Sequence, residues 1–237
     1  MAQSSRLDEQ AAGGDVGAGG PVGGRAGGRA APAASLWLAD QARLPFRPWS
    51  GYRALGARWA AASSRDMAVE ALRLAGFQLL AVGVFVSMTT AGRLVAVHVG
   101  AIVAFWSFAP ALQALAVCAV RAIACREVPL GRALALYYAG QGPWMLFLAV
   151  GAGVPVVAPG LLVVERFGQL FIGFACMLVL ALVWGGVMTH ALFRGGLGLS
   201  RVRAVLATLL FYATFVSLVV GYYLAMNQIQ PQLFGTQ

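Results

Sequence analysis

Lysine is absent from this chain. All seventeen basic residues are arginine, against eight acidic residues and two histidines. Only 11% of the residues are charged, where soluble domains run near a quarter, and 60% are hydrophobic. That scarcity of charge excludes an ordinary soluble globule. None of the eight acidic residues falls inside a long apolar run. The intramembrane carboxylates of proton-driven pumps and carboxylate-pair proteases are therefore missing. Cys118, Cys125 and Cys176, three in number, cannot pair completely and form no disulfide framework. They read as small buried hydrophobes in a reducing compartment. His98 and His190 lie toward opposite ends of different apolar runs. At ~1.5 Å per residue they sit roughly 15–20 Å apart along a membrane normal, too far to share a metal. No Ser–His–Asp set, His-x-x-Glu-His motif or phosphate loop is present. The expectation is a protein that is not an enzyme and holds no cofactor and no metal.

Apolar length is what the chain has in abundance. A helix needs about 20 apolar residues to cross the ~30 Å hydrocarbon core. Arginines punctuate five runs of that length, predicting spans at about 74–92, 94–120, 133–153, 167–193 and 204–226. The fold class expected is all-α, a polytopic membrane protein of five transmembrane helices. Residues 1–35, rich in Gly, Ala and Arg, have little to bury and are expected to be a disordered arm. A basic balance raises nucleic acid as a partner, but these arginines cluster at the ends of apolar runs and lack aromatic interleaving, so no nucleic acid is expected. No apolar core of a cleavable signal peptide follows Met1, which leaves the first span as the insertion signal.

Residues 36–72 change composition. Tyr52, Leu55 and Trp59 fall on one face of a helix while Arg53 and Arg58 point elsewhere. Trp, Tyr and Arg together suit a cytosolic, partly amphipathic segment at the headgroup layer, or one whose aromatics pack on the cytosolic end of the bundle. Ser63-Ser64-Arg65-Asp66 then predicts a capping box that opens the helix leading into the first span.

Arginine counts set the orientation. Nine lie before the first span, three between Arg121 and Arg132, and three between Arg194 and Arg203. The opposite side holds Arg93 and Arg166 alone. The positive-inside rule then places the N-terminus in the cytoplasm and the C-terminus outside, as an odd number of spans requires.

The third run is the most polar. Ala133 to Val164 carries no charge, yet contains Tyr137, Tyr138, Gly140, Gln141, Gly142 and Pro143 in its first half. Pro143 cannot donate to the Ala139 carbonyl and should kink the helix near mid-membrane. Tyr137, Tyr138, Gln141 and Pro143 are thus the candidate contacts for a ligand or partner helix, with mutual satisfaction inside the bundle as the plainer reading. Gly151, Gly153, Pro155, Pro159 and Gly160 should end the span in a loop. Pro110, with Gln113 nearby, should kink the second span. Small residues recur at i+4 in three rows: Gly83, Ser87, Ala91; Ala181, Gly185, Thr189; and Ala213, Ser217, Gly221, Ala225. The last row is expected to pack the fifth helix within the chain, in preference to a dimer seam.

Several of these features together resemble the Yip family of five-span membrane proteins, named for interaction with Ypt/Rab GTPases, in its bacterial form. A cytosolic arm precedes five spans. The turn Val128-Pro129-Leu130-Gly131-Arg132-Ala133 leads into Tyr137, Tyr138 and Pro143. Trp184 in the fourth span leads to Leu197-Gly198-Leu199-Ser200-Arg201-Val202-Arg203-Ala204. The likeness covers roughly residues 60–235. It implies a multi-pass protein of the bacterial inner membrane, with the lipid bilayer and other membrane proteins as partners and self-association left open. It implies no catalytic residues.

Overall fold

The computed structural model describes residues 43–158 and 167–234. The expected arm at 1–35 and the Pro159-Gly160 loop lie outside them. Every described element is helical: α1 (Pro48–Arg58), a 3-10 turn (Trp59–Ala61), α2 (Ser64–Ala91), α3 (Ala96–Trp106), α4 (Phe108–Ala124), α5 (Leu130–Ala139), α6 (Gly142–Val157), α7 (Phe167–Ala191), a π turn (Leu192–Gly196) and α8 (Arg201–Phe234).

Helix α2 begins where the capping signal predicts, with Ser63 Oγ accepting from the Asp66 amide at 3.1 Å. It ends at Gly92, whose φ of 65° is the left-handed geometry that glycine supplies at a C-cap. Ser87 then holds the short connection to α3, donating to the Arg93 carbonyl at 3.1 Å and accepting from the Val95 amide at 2.9 Å. Gly83 allows the close approach: a Cβ there would meet Val99 Cγ1 and the Val99 carbonyl oxygen at 3.0 Å. This row of small residues packs α2 onto α3.

The second run is interrupted at Ser107, three residues before Pro110. The third breaks into α5 and α6, bent by 40°. The expectation that it would stop near Gly153 is corrected, because α6 continues through Pro155 to Val157. Gly151 is buried where a Cβ would overlap the Phe85 and Phe174 rings. Packing of α2 and α7 at that level holds the helix together despite its breakers.

Four helices are long and apolar enough to cross a membrane, or up to five if the bent α5–α6 pair is one span. The buried core, which includes Leu136, Val120, Phe193 and Phe211, gathers toward one end of the bundle. There the start of α1's neighbour α2, the α4–α5 turn and the π turn come together. A Cβ on Gly131 would meet the Ser64 carbonyl oxygen at 2.8 Å, and one on Gly56 the Gly196 carbonyl oxygen at 3.2 Å. Arg132 donates to the Gly56 carbonyl at 2.6 Å, and Arg121 clamps the α4–α5 turn by donating to the Val128 and Arg126 carbonyls at 2.6 and 3.0 Å. Elsewhere large side chains such as Leu80, Phe105, Leu146, Phe171 and Leu209 are exposed, a pattern compatible with helices that face lipid.

The inward face of α8 is Ala204, Ala207 and Phe211, exposed by 3% or less. The expected packing row, Ala213, Ser217, Gly221 and Ala225, is exposed throughout, and a Cβ on Gly221 would meet nothing within 4 Å. Its assignment as a contact within the chain is therefore corrected. Phe211 and the partly buried Phe215 and Leu218 fill the interior, which turns the small residues outward.

Candidate functional site at the broken third span

Pro143 shapes this region differently from a simple kink. Its ring cannot sit in a helix interior without losing one hydrogen bond and clashing with the carbonyl of Ala139. The chain instead closes α5 at Ala139 and restarts at Gly142, which places Pro143 in the first turn of α6, where a proline costs little. The Gly140 amide donates to the Tyr137 carbonyl at 3.0 Å, the Gln141 amide to the Tyr138 carbonyl at 3.3 Å, and the Met145 amide to the Gln141 carbonyl at 3.0 Å.

All four residues singled out from the sequence come together here and are buried. Tyr138 donates its hydroxyl to the Pro110 carbonyl at 2.6 Å, joining α5 to α4. Tyr137 interacts with the Gln141 side chain, with its ring 5.2 Å from Phe211 and 5.3 Å from Tyr138. Thr189 donates to the Gly185 carbonyl at 2.9 Å and lies 3.4 Å from the Tyr212 hydroxyl. The row Ala181, Gly185, Thr189 is thus turned toward this site.

Sequence reasoning did not bring Tyr52 here. It reaches in from α1 and is 1% exposed. Its hydroxyl occupies the space that a Cβ on Gly140 would take. Burial pushes its phenol well above the ordinary range, with Tyr212 nearby acting in the same direction. Leu44 and Leu55 are buried with it, whereas Arg53 and Arg58 are exposed. The signal was available as glycine at both ends of the contact. Gly140 faces the Tyr52 ring, and on the π turn a Cβ of Gly195 would meet the Trp49 carbonyl oxygen at 2.8 Å.

Beside the break lies a cavity of about 640 Å³. Its walls come from the Pro45-Phe46 turn, from Leu74 and Phe77 of α2, from Tyr138 and the first turns of α6, and from Met177 to Trp184 of α7. Trp184 donates its indole N–H to the Pro45 carbonyl at 3.1 Å, and Pro45 caps Gly142, where a Cβ would meet its Cγ at 2.6 Å. Three polar side-chain atoms elsewhere in the bundle are buried without partners: Gln78 Oε1, Gln113 Oε1 and Arg132 Nε. Among the described residues no group of three His, Cys, Asp or Glu is placed to hold a metal. His98 is exposed and His190 half-buried.

The described residues are all-helical, with several helices apolar enough to cross a membrane and a helix break lined by tyrosines. No family model, curated protein or solved structure matches the chain.

Proposed function

We propose that the chain is a non-enzymatic, five-span protein of the bacterial inner membrane, of Yip type, which organises other membrane proteins through its helices and cytosolic arm. The observation that carries this reading is how the polar groups at the break are used. Tyr138 is spent on the Pro110 carbonyl and Trp184 on the Pro45 carbonyl. Groups already engaged within the chain are not available to strip water from a polar solute. The clustering of the arginine-bearing connections at one end of the bundle supports an N-in, C-out orientation.

The second reading is a small permease subunit, favoured by the cavity that Tyr138, Gln141 and Pro143 line. Single cysteines placed from 137 to 144 in native membranes separate the two. A scaffold leaves them unlabelled by a membrane-impermeant maleimide. Labelling from the aqueous side at successive positions would overturn the scaffold reading in favour of transport.

A further inference from the structure

The cavity beside the break has two properties that together name an occupant. Its walls include side chains that face outward: Phe77 is 51% exposed, Leu146 63% and Leu180 61%. Phe77 and Leu180 lie on helices long and apolar enough to cross a membrane, and Leu146 on half of the bent pair that passes as one, so in a bilayer the cavity would open toward hydrocarbon. Inside, the Tyr138 hydroxyl and the Trp184 indole are already committed to backbone carbonyls. A guest there has almost nothing to hydrogen-bond and must be apolar over most of its length. Pro45 and Phe46 also line the cavity, Phe46 being 78% exposed, and they are flanked in sequence by Arg43 and Arg47, both exposed. The stretch from Arg43 to Arg58 holds four arginines and no acidic residue.

We infer that this cavity is a binding site for an anionic phospholipid. One acyl chain lies between α2, α6 and α7, and the phosphate rests on Arg43 and Arg47. Charge complementarity argues for this occupant over a second copy of the chain, which would bring the same arginines. The site stands whether or not the scaffold reading holds, since it rests on the cavity and its mouth alone.

The test uses the full chain in nanodiscs of equal parts phosphatidylglycerol and phosphatidylcholine, released into mild detergent and weighed by native mass spectrometry. The expected result is one retained phosphatidylglycerol per chain. Ala149 is small, exposed and part of the wall, so Ala149→Trp fills the cavity without burying new bulk in the core. It should abolish retention, while the delipidated variant melts at the same temperature as the delipidated unaltered chain. The double variant Arg43→Gln/Arg47→Gln keeps the cavity, and should lower the preference for phosphatidylglycerol over phosphatidylcholine by about five-fold per arginine. Retention unaffected by Ala149→Trp would overturn the site. So would equal binding of the two lipids by the unaltered chain, or a lipid-free dimer.

Discussion

At the scale of the residue, the contact between Tyr52 and Gly140 decides how α1 is held. The Tyr52 side chain is 1% exposed and its hydroxyl fills the place of the missing Cβ. Gly140→Ala therefore forces an overlap in a rigid setting, for which about 1–3 kcal/mol of destabilisation is expected. Tyr52→Phe removes the obstructing oxygen. The double variant should then lose less stability than the two single variants summed, a coupling that thermal melts in detergent would measure. Strict additivity would mean that the two residues do not touch. A second residue-scale effect concerns Cys125, which lies in the turn after α4. Burial raises its thiol above the ordinary range, and the Arg121 guanidinium pulls more weakly in the opposite sense. Only the thiolate reacts with an alkylating reagent. In a chain carrying Cys118→Ala and Cys176→Ala, the pH midpoint of Cys125 alkylation should lie above that of a free thiol. Removing the positive charge with Arg121→Gln should move it higher still. A downward movement would contradict this geometry.

At the scale of the element, glycine and proline positions were informative and small-residue rows were ambiguous. Ser63 and Asp66 marked the start of α2 because a cap is a local feature, set by residues three apart. Pro143 marked the break for the same reason, although the chain resolved it by ending one helix and starting another. The rows of small residues could not be ranked in this way. A membrane helix is apolar on every side, so periodicity gives no preferred face, and three similar rows look equivalent. Two of them turned inward, onto α3 and onto the tyrosine site, but on α8 the bulky Phe211 and Phe215 took the interior. Tyr52 was illegible as a site residue because its partner, Gly140, lies far along the chain and offers no side chain to notice. The rows now predict opposite outcomes on one helix. Ser217→Leu, at an exposed position, should change detergent stability by no more than about 0.5 kcal/mol. Ala207→Leu, on the face packed into the core, should cost about 1–3 kcal/mol through overpacking. A large loss from Ser217→Leu would place that row in a contact that the single chain does not make.

At the scale of the whole molecule, the number of crossings turns on the bent pair. A re-entrant loop must reverse direction, whereas α5 and α6 depart from a straight line by 40°. Their ten and sixteen residues, at about 1.5 Å per residue, advance roughly 33 Å along the α5 axis once the bend is allowed for. That length matches a hydrocarbon core of about 30 Å. A length and bend of this kind fit the proposed crossing, which with the four other candidate spans would make five, an odd number that separates the termini. The arginine distribution is the independent ground for the proposal that the N-terminal side lies in the cytoplasm. A reporter pair fused after Gln237 tests both arguments at once. Alkaline phosphatase, active only outside the cytoplasm, should give signal there, and a fluorescent protein that matures only in the cytoplasm should give none. The reverse pattern would mean either five crossings in the opposite orientation or four crossings, with α5 and α6 entering and leaving by the same face. Four crossings would also move Tyr137, Tyr138 and Gln141 from the interior of a bundle to the turn of a loop, where their burial would need another partner.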